Sequence, residues 1–208
     1  MRFVAISDTH SHHKSVKLPK GDVLLHAGDV TYRGKKTEVL DFLEWFSRQP
    51  FKYKIFIAGN HDFYFEKENP STVQAIIPEG IIYLQDSGTE INGIRIWGTP
   101  ITPWFHHWAF NRLRGTSINK HWQLIPQNTD LLLTHGPSYG ILDAVINGQH
   151  VGCKDLLKRI MEVKPKFHVY GHIHEAYGIK KQNGITFINA CVVNESYELV
   201  NKPFVFEL

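Results

Sequence analysis

Five short apolar runs, each leading into Gly, Asp, Asn or His, limit what this chain can fold into more than any other feature. The runs are four to six residues long, are rich in β-branched and aromatic side chains, and lack the alternation of a half-exposed strand. This pattern predicts strands that are buried on both faces of a sheet. The runs, with the residues that they contain or precede, are RFVAIS (Asp8 and His10), DVLLHA (Gly28 and Asp29), YKIFIA (Gly59, Asn60 and His61), DLLLTH (His135 and Gly136) and FHVY (Gly171, His172 and His174).

Helical patterns lie between several of these predicted strands. Residues 36–49 and 153–164 have apolar side chains at helical spacing, and each segment ends just before a proline. The C-terminal segment, residues 177–208, instead predicts a meander of strands with a hairpin turn at 183–184. Strands that alternate with helices indicate an α/β fold. Two mixed sheets packed face to face, with helices outside, would accommodate both halves of the chain.

No repeat, low-complexity tract or linker divides the chain, and we therefore expect a single domain over residues 1–208. A hydrophobic content of 42% and a charged content of 21% are typical of a soluble globular protein. No apolar run approaches the roughly 18 residues that a membrane span needs. The N-terminal segment is interrupted by Asp8 too early for a signal peptide. We therefore expect a cytoplasmic protein with no membrane partner.

Charge and cysteine content argue against two classes of function. The formal charge of +3 and the pI near 8.8 suit anionic substrates but are too weak for a surface that binds long nucleic acids. Cys153 and Cys191 are the only cysteines, and they lack the spacing of a disulfide framework or a thiolate zinc site. We expect both thiols to be buried and chemically inert.

The polar clusters at the ends of the five runs are expected at one edge of the fold. In α/β sheets, ligands bind beyond the carboxyl ends of the strands, where loops from several strands converge. The clusters read D-x-H at 8–10, G-D at 28–29, G-N-H-D at 59–62, T-H-G at 134–136 and G-H-x-H at 171–174. Each has a structural alternative, such as a helix cap or Asx turn for an aspartate and a surface position for a histidine. The occurrence of all five after predicted strands favours a shared site.

This set of motifs resembles that of the calcineurin-like metallophosphoesterase superfamily, from Asp8 to His174. The later part of the chain is similar to one branch, the MPPED-type metallophosphodiesterases, through the segments LLLTHGP, HVGCKDLLKRI, KPKFHVYGHIHEAYG and FINA. The resemblance implies a four-layer α-β-β-α sandwich of two mixed sheets flanked by helices, as in metallo-dependent phosphatases. It also implies a dinuclear metal-dependent phosphoesterase, and the branch favours a phosphodiesterase that acts on cyclic nucleotides or similar small phosphodiesters.

The resemblance assigns seven Asp, Asn and His side chains to two divalent cations, with one carboxylate bridging both. They are Asp29 as the bridge, Asp8, His10 and His174 at the first metal, and Asn60, His135 and His172 at the second. Gly171 would let the backbone turn so that the two histidines of G-H-x-H reach different metals. Nitrogen and oxygen ligands suit Mn²⁺, which we take as the first choice, and also Fe, Zn²⁺ or Mg²⁺.

His61 and Asp62 are the candidates for proton transfer. Two cations roughly 3.5 to 4 Å apart offset phosphate charge and turn a bound water into a bridging hydroxide. An imidazole beside them could protonate the leaving oxygen, a role worth roughly 10² to 10⁴ in rate. Asp62 would orient that imidazole, an interpretation that depends on adjacency alone.

Arg33 and an aromatic-rich stretch are candidates for substrate binding. Arg33 follows Gly28 by five residues, the spacing at which members of the superfamily use arginine to hold phosphate; a solvated loop charge is the alternative. Residues 91–129 contain no Asp or Glu but four of the five tryptophans. We predict a cap over the metal site in which Trp104 and Trp108 stack on a nucleobase. The alternative is that these rings fill the core under a long loop.

Histidines outside the motifs are assigned more ordinary positions. His12 and His13 are predicted to lie in a solvated loop, with substrate contact as the alternative. His26 and His168 fall inside predicted strands, and we expect them to be core or sheet-edge residues.

Three other functions could use the same motifs. A phosphomonoesterase or a nuclease would share the two-metal site, although the weak net charge disfavours long polyanions. A non-catalytic, protein-binding scaffold would be expected to lose ligands or the proton-transfer histidine, and here all eight of those side chains are present. The expected partner is therefore a small phosphodiester or nucleotide substrate.

Overall fold

The predicted strands form the centres of two mixed sheets in the computed structural model, which describes all 208 residues. The strands are β1 (Arg2–Ile6), β2 (Val23–Ala27), β3 (Tyr53–Ile57), β4 (Ile81–Tyr83), β5 (Ser87–Ile91), β6 (Ile94–Thr99), β7 (Thr102–Pro103), β8 (Asn111–Arg112), β9 (Leu131–Thr134), β10 (Phe167–Tyr170), β11 (Gly178–Gln182), β12 (Ile185–Asn189) and β13 (Phe204–Glu207). The helices are α1 (Lys36–Ser47), α2 (Phe63–Lys67), α3 (Pro70–Ile76), α4 (Thr116–Trp122) and α5 (Lys154–Val163), and two 3₁₀ turns cover His13–Ser15 and His174–Ala176.

Each large sheet has a parallel centre. The first sheet has the order β13-β1-β2-β3-β4, in which only β13 is antiparallel to its neighbour. The second has the order β11-β12-β10-β9-β6-β5, in which only the two outer strands are antiparallel. All five strands that precede a polar cluster belong to the parallel centres. Because parallel strands end at the same edge of a sheet, the clusters of each sheet lie together.

The two sheets pack face to face over a core of mostly aliphatic side chains. Phe3 and Ala5 of β1 point into this layer, whereas Val4 packs on the opposite face. Leu133 of β9 meets this layer from the second sheet. Every residue of β1 after the first is buried, which agrees with the prediction of strands buried on both faces.

Helices cover the outer faces of the sheets. Phe42 of α1 packs on Phe56 of β3, with ring centroids 5.3 Å apart. Trp122 of α4 and Leu156 of α5 are buried on the other side, against the second sheet. The layers therefore follow the order helix, sheet, sheet, helix, as the resemblance implied. The predicted helices correspond to α1 and α5, which are slightly shorter than expected. None of the five helices combines the length and the apolar character needed to cross a membrane.

The prediction of a C-terminal meander is only partly right. β11 and β12 do form an antiparallel hairpin, and Asn183 and Gly184 take left-handed conformations at its turn, with φ of 53° and 78°. However, β12 pairs in parallel with β10, and β13 crosses to the first sheet beside β1. Phe206 of β13 stacks on Phe3 at 5.3 Å. This pairing joins the two ends of the chain, and no local pattern could have predicted it.

His13 is not in a solvated loop, so that prediction was wrong. Its imidazole is buried against Phe42 and Trp45 of α1, with centroids 5.6 Å and 5.0 Å away. Its Nε2 lies 3.2 Å from Asp41 Oδ2. His12 is exposed, in agreement with the prediction. The packing of a 3₁₀ turn under α1 is a tertiary contact that the spacing of apolar residues does not encode.

Candidate metal centre

The five polar clusters converge between the carboxyl ends of the two sheets. The loops after β1, β2 and β3 bring three clusters, and those after β9 and β10 bring the other two. Backbone hydrogen bonds join neighbouring loops within each sheet. Asp8 N donates to Gly28 O at 3.0 Å, and Gly171 N donates to His135 O at 3.0 Å. The loops of each sheet are therefore held side by side beneath the cluster.

The side chains assigned to the first metal face one another at short distances. His10 Nε2 lies 3.9 Å from Asp8 Oδ1 and 3.7 Å from Asp29 Oδ2. His174 Nε2 lies 3.5 Å from Asp8 Oδ1 and 3.4 Å from His10 Nε2. His174 is partly exposed, whereas the other three are buried. The structure thus brings together all four residues of this half.

The side chains assigned to the second metal lie beside them. His135 Nε2 is 2.8 Å from Asn60 Oδ1 and 3.3 Å from Asp29 Oδ2. His172 offers a nitrogen that lies within 4.8 Å of ligand atoms of Asp29 and His135. Asp29 Oδ2 therefore lies between the two halves, which is the position expected of a bridging carboxylate.

Hydrogen bonds to backbone carbonyls orient two of the imidazoles. His174 Nδ1 donates to Asn194 O at 3.0 Å, and His135 Nδ1 donates to Ala27 O at 2.9 Å. A carbonyl oxygen can only accept, so Nδ1 carries the hydrogen in each neutral ring and Nε2 presents a lone pair to the cluster. Histidines that bind metals are typically held in this way.

The donor set around His135 fits a divalent cation. A neutral His135 would point its Nε2 lone pair at oxygens of Asn60 and Asp29, which is repulsive unless a positive charge lies among the three. Burial lowers the pKa of His135, but the Asp29 carboxylate outweighs burial and raises that pKa to about 9. A proton here supplies the charge that a metal ion would otherwise supply. Imidazole, amide and carboxylate together suit Mn²⁺, Fe, Zn²⁺ or Mg²⁺.

Three other members of the cluster have the protonation states that ligands require. Burial raises the pKa of Asp8, but the hydrogen bond with His174 and the charge of His135 outweigh burial and hold that pKa below its usual range. Burial lowers the pKa of His10 to about 4 and that of His172 to about 3. Near neutral pH, the carboxylate is therefore ionised and both of these imidazoles are neutral.

Four predicted ligands have left-handed backbone conformations. The φ angles are 56° at Asp8, 41° at His10, 54° at Asp29 and 69° at His172. Such conformations cost non-glycine residues roughly 1 to 3 kcal/mol each and concentrate at functional sites. The turn that the sequence assigned to Gly171 is therefore made by His172.

Gly59 and Gly171 are needed because a carboxylate lies against each of them. A Cβ atom at Gly171 would overlap Asp8 Oδ2, and one at Gly59 would overlap Asp29 Oδ1. Neither glycine has a positive φ. Glycine in these two motifs thus lets the backbone approach a predicted ligand closely.

His61 borders the cluster and has a fixed orientation. Its backbone N donates to Asp29 Oδ1 at 2.8 Å, and one ring nitrogen lies within 4.8 Å of ligand atoms of His10 and Asp29. Its Nδ1 donates to Tyr32 O at 2.8 Å. Because Nδ1 is engaged, Nε2 is the nitrogen that can exchange a proton with a substrate.

Asp62 does not orient His61 directly, contrary to the sequence-based interpretation. Its buried carboxylate accepts from the backbone N of Gly59 at 2.8 Å, of Val30 at 3.1 Å and of Thr31 at 2.9 Å. The Thr31 hydroxyl donates to it at 2.6 Å. The carboxylate therefore faces away from the imidazole, which adjacency in the sequence could not reveal.

Asp62 instead holds the loop that supplies the Tyr32 carbonyl, which in turn accepts from His61. Asp62 is therefore a positioning residue that acts on the imidazole through the backbone of Thr31 and Tyr32. Burial, together with the charge of nearby Asp29, raises the pKa of Asp62 to about 6.

A cavity of about 450 Å³ opens beside the cluster, and part of the predicted cap, residues 91–129, lines it. Trp104 lines the cavity with 51% of its surface exposed, so its ring is free to contact a substrate. Trp108 also lines the cavity, but its ring stacks on His61. Trp122, by contrast, is fully buried. This ring fills the core, which was the alternative to a cap for the tryptophans of residues 91–129.

The arginine that lines the cavity is Arg114 and not Arg33. Arg33 is exposed, and its guanidinium lies 5.8 Å from the centre of the Tyr32 ring. Its role in holding phosphate stays a prediction. Arg114 donates to Gly152 O at 2.8 Å and to Val151 O at 2.7 Å, so it braces a neighbouring loop.

Sequence reasoning missed Tyr197, whose ring closes one side of the cluster. The ring centroid is 4.8 Å from that of His10 and 5.4 Å from that of His174. Tyr197 has a φ of 61°, and it lines the cavity. It lies on the loop after β12, near Asn194, the residue whose carbonyl accepts from His174. No motif marks this loop in the sequence.

Cys191 also lies at the site, within reach of Asp8 and His174. Its Sγ donates to Val193 O at 3.5 Å, and burial raises the pKa of the thiol well above its usual value. The thiol therefore stays protonated and inert, as expected. The backbone of Cys191 forms an isolated parallel bridge with Ser7, which joins the two sheets next to the cluster.

Comparison with known proteins agrees with this geometry. A family model described as calcineurin-like phosphoesterase matches residues 1–176. The chain belongs to the calcineurin-like phosphoesterase family. Metallophosphoesterase domain-containing protein 1 of Homo sapiens is 43% identical over 231 residues, which cover 100% of this chain and 71% of the relative. UPF0046 protein T07D4.2 of Caenorhabditis elegans is 38% identical, over 100% of this chain and 60% of the relative. These relatives confirm the branch that the sequence resembles.

Solved structures share the fold at low sequence identity. The phosphopantetheinyl hydrolase of Mycobacterium tuberculosis has a TM-score of 0.61 and 15% identity, over 94% of this chain and 90% of that one. The protein TT1561 of Thermus thermophilus has a TM-score of 0.61 and 12% identity, over 90% and 88%. Both support the fold alone. Family membership and the His/Asp clusters together identify a metal-dependent phosphoesterase, from a family that uses two metal ions.

Proposed function

We propose that this metallophosphoesterase is a phosphodiesterase that acts on cyclic nucleotides or similar small phosphodiesters. The observation that carries the proposal is the cavity of about 450 Å³, which runs from Asp29 and His61 to Trp104 and Val151. An organic group attached to phosphate could lie along this apolar wall while the phosphate contacts the cluster. Apolar walls with a few convergent polar groups are typical of small-molecule sites.

The charges along the cavity favour a diester over a monoester. Arg114 is the one Lys or Arg among the lining residues, and its guanidinium is engaged by two backbone carbonyls. Glu175 and Glu195 line the same cavity. A phosphate monoester carries about 1.5 to 2 negative charges near neutral pH, whereas a diester carries one. A diester would therefore meet less repulsion.

In this proposal the seven predicted ligands hold two divalent cations, with Mn²⁺ as the first choice. One is assigned to Asp8, His10, Asp29 and His174, and the other to Asp29, Asn60, His135 and His172. When bound, such cations offset the charge of the phosphate and lower the pKa of the attacking water. The chain itself contributes ligands whose orientation is set by the Asn194 and Ala27 carbonyls.

His61 is the residue proposed to deliver a proton to the leaving oxygen. The Tyr32 carbonyl engages Nδ1, and the stacked Trp108 ring restricts rotation of the imidazole. A protonated Nε2 would then donate to the ester oxygen as its bond to phosphorus breaks. Such positioned acids contribute roughly 10² to 10⁴ in rate. Asp62 supports this step by holding the loop that ends at Tyr32.

Hydrolysis of bis-p-nitrophenyl phosphate, measured beside p-nitrophenyl phosphate with Mn²⁺ and with a chelator, tests the proposal. We expect faster turnover of the diester and loss of activity with the chelator. Faster turnover of the monoester would overturn the substrate class. Inactivity toward both esters with Mn²⁺, Fe²⁺, Zn²⁺ and Mg²⁺ would favour the scaffold alternative. A positive result would justify comparing 3′,5′-cyclic AMP, 2′,3′-cyclic AMP and short oligonucleotides, the last as the test of a nuclease.

A further inference from the structure

A second histidine with a fixed orientation, His150, lines the cavity outside the metal cluster. Its Nδ1 donates to Asp143 Oδ1 at 2.6 Å, and 46% of its side chain is exposed. Asp143 is fully buried, and its other oxygen accepts from Gly140 N at 2.9 Å and from Gly152 N at 3.0 Å. The carboxylate is thus fixed by the backbone and in turn fixes the imidazole.

This arrangement leaves one nitrogen of His150 available to a ligand. Because Nδ1 donates to the carboxylate, Nε2 of the neutral ring presents a lone pair, and it has no hydrogen-bond partner within the protein. A histidine oriented by a buried carboxylate recurs where an imidazole must contact a ligand in one geometry. Nε2 can therefore accept a hydrogen bond from a hydroxyl or an N–H group in the cavity.

Apolar side chains line the same cavity as His150, and the one Lys or Arg side chain of this lining is already engaged. Trp104, Val145 and Val151 line the same cavity, and the Trp104 ring is half exposed. Arg114 lies on this wall, but its guanidinium donates to the carbonyls of Val151 and Gly152. The wall thus offers a stacking surface and a hydrogen-bond acceptor and lacks a site for a second anion.

We propose that Trp104, Val145, His150 and Val151 form a subsite for one ester group of the substrate, here called the His150 subsite. The inference rests on the proposed phosphodiesterase function and narrows its substrate class. The subsite selects an uncharged, hydroxyl-bearing group with an aromatic or apolar face, such as a nucleoside. His150 accepts a hydrogen bond from that group and Trp104 stacks on it. Substrates with a second phosphate on this group are disfavoured.

Three chromogenic diesters that all release p-nitrophenolate separate these contributions. Methyl p-nitrophenyl phosphate leaves the subsite empty, and thymidine 5′-(p-nitrophenyl phosphate) places a neutral nucleoside there. The 3′-phosphorylated form of the thymidine ester adds a second phosphate. We expect kcat/KM of the wild-type enzyme to rise about tenfold from the methyl to the thymidine ester, as stacking of one base allows. It should fall again with the 3′-phosphate.

His150→Asn tests the contact itself. Asparagine keeps a polar atom near Asp143 but has nothing in place of Nε2. We expect KM for the thymidine ester to rise about tenfold, and KM for the methyl ester to stay at the wild-type value. His121→Asn is the matched control, because His121 Nδ1 makes a bond of the same 2.6 Å with Asp86 but does not line the cavity. It should leave all three substrates unaffected.

The outcomes separate this inference from the function on which it rests. In an active enzyme, equal KM for the thymidine ester in His150→Asn and wild type overturns the subsite and leaves the phosphodiesterase proposal intact. If wild type hydrolyses the 3′-phosphorylated ester faster than the thymidine ester, the subsite is likewise overturned and the phosphodiesterase proposal stays intact. If wild type hydrolyses no diester, the proposed function fails, and calorimetry then decides on the subsite. Binding of the thymidine ester about tenfold more weakly to His150→Asn would support it, whereas equal affinity or no binding would overturn it.

Discussion

The indole ring of Trp108 stacks on the imidazole ring of His61, with centroids 4.3 Å apart and planes inclined by 24°. The hydrogen bond from Nδ1 to Tyr32 O holds the same imidazole from a second direction. These two contacts restrict the ring to one orientation. Trp108 is therefore placed to orient the candidate acid, and its stacking on a nucleobase stays a prediction.

Trp108→Ala is expected to lower kcat about three- to tenfold for diesters with poor leaving groups, which need a proton from His61, because an aromatic pair is worth roughly 0.5 to 1.5 kcal/mol. KM and bound metal should stay close to wild type. Trp108→Phe, which keeps an aromatic face, should recover most of the rate. Steady-state kinetics with metal analysis provide the test. A variant with raised KM and unchanged kcat would instead show that the ring binds substrate.

Asp29→Ala should abolish both activity and metal binding, since the carboxylate lies between the two halves of the cluster. Its Oδ2 is 3.7 Å from His10 Nε2 and 3.3 Å from His135 Nε2. Metal content per folded chain, measured by atomic emission with circular dichroism as the folding control, decides the matter. Two metal ions per chain in this variant would refute the bridging role.

His61→Ala should retain its metal ions and lose rate, by about 10² to 10⁴ for esters with poor leaving groups. The loss should be much smaller for p-nitrophenyl esters, because p-nitrophenolate leaves without a proton. A series of diesters with leaving groups of increasing pKa gives the measurement. Equal losses across the series would exclude His61 as the general acid.

Gly171→Ala should weaken metal binding, because the added Cβ would displace the Asp8 carboxylate. Loss of a well-placed ligand or its support typically costs about 10- to 100-fold in affinity. Gly178→Ala is the control, since its Cβ would lie 3.3 Å from Leu142 Cδ2 and would contact no member of the cluster. Titration with Mn²⁺ compares the two variants, and equal affinities would contradict the steric argument.

His168 should make the protein less stable in mild acid. Its Nε2 donates to the Thr134 hydroxyl at 2.8 Å, and that hydroxyl donates to Gly136 O at 2.7 Å. Burial lowers the pKa of His168 to about 3. The unfolded chain, with a histidine pKa near 6.5, therefore binds the proton first as the pH falls. The stabilisation is complete above pH about 6.5 and is lost progressively toward pH about 3.

His168→Gln keeps a donor for Thr134 but does not titrate. Between pH 7 and pH 5, the free energy of unfolding should therefore fall by about 2 kcal/mol less in this variant than in wild type. Urea denaturation at the two pH values gives both differences. Equal losses would show that His168 is not a source of the acid sensitivity.

The sequence alone could place the predicted ligands together because each lies within four residues of the end of its strand. A short apolar run marks the strand, and the parallel centre of each sheet brings the next residues to one edge. Asp8 and His174 are separated by most of the chain, yet their strand-end positions are enough to place both at this edge.

Contacts between segments that are distant in the sequence could not be predicted from apolar runs and strand ends. The carboxylate of Asp62 meets the backbone of Val30 and Thr31 in another loop, so its direction depends on tertiary structure. Tyr197 lies on a loop without a motif, and the segment HVGCKDLLKRI, which begins at His150, gives no sign of a role for this histidine. Only the assembled cavity brings the two residues near the cluster. In the same way, β13 finds its partner at the opposite end of the chain.

Ser7 and Cys191 form a backbone bridge between the two sheets, right next to the cluster. The cluster straddles the seam between two sheets, with three loops from one and two from the other. A ligand that contacts all of these loops links the two sheets. Its binding free energy therefore adds to the free energy of unfolding of the whole fold. The melting temperature should therefore rise with the fraction of protein that has metal ions bound. The enzyme should be least resistant to heat and proteolysis when the metal ions have been removed.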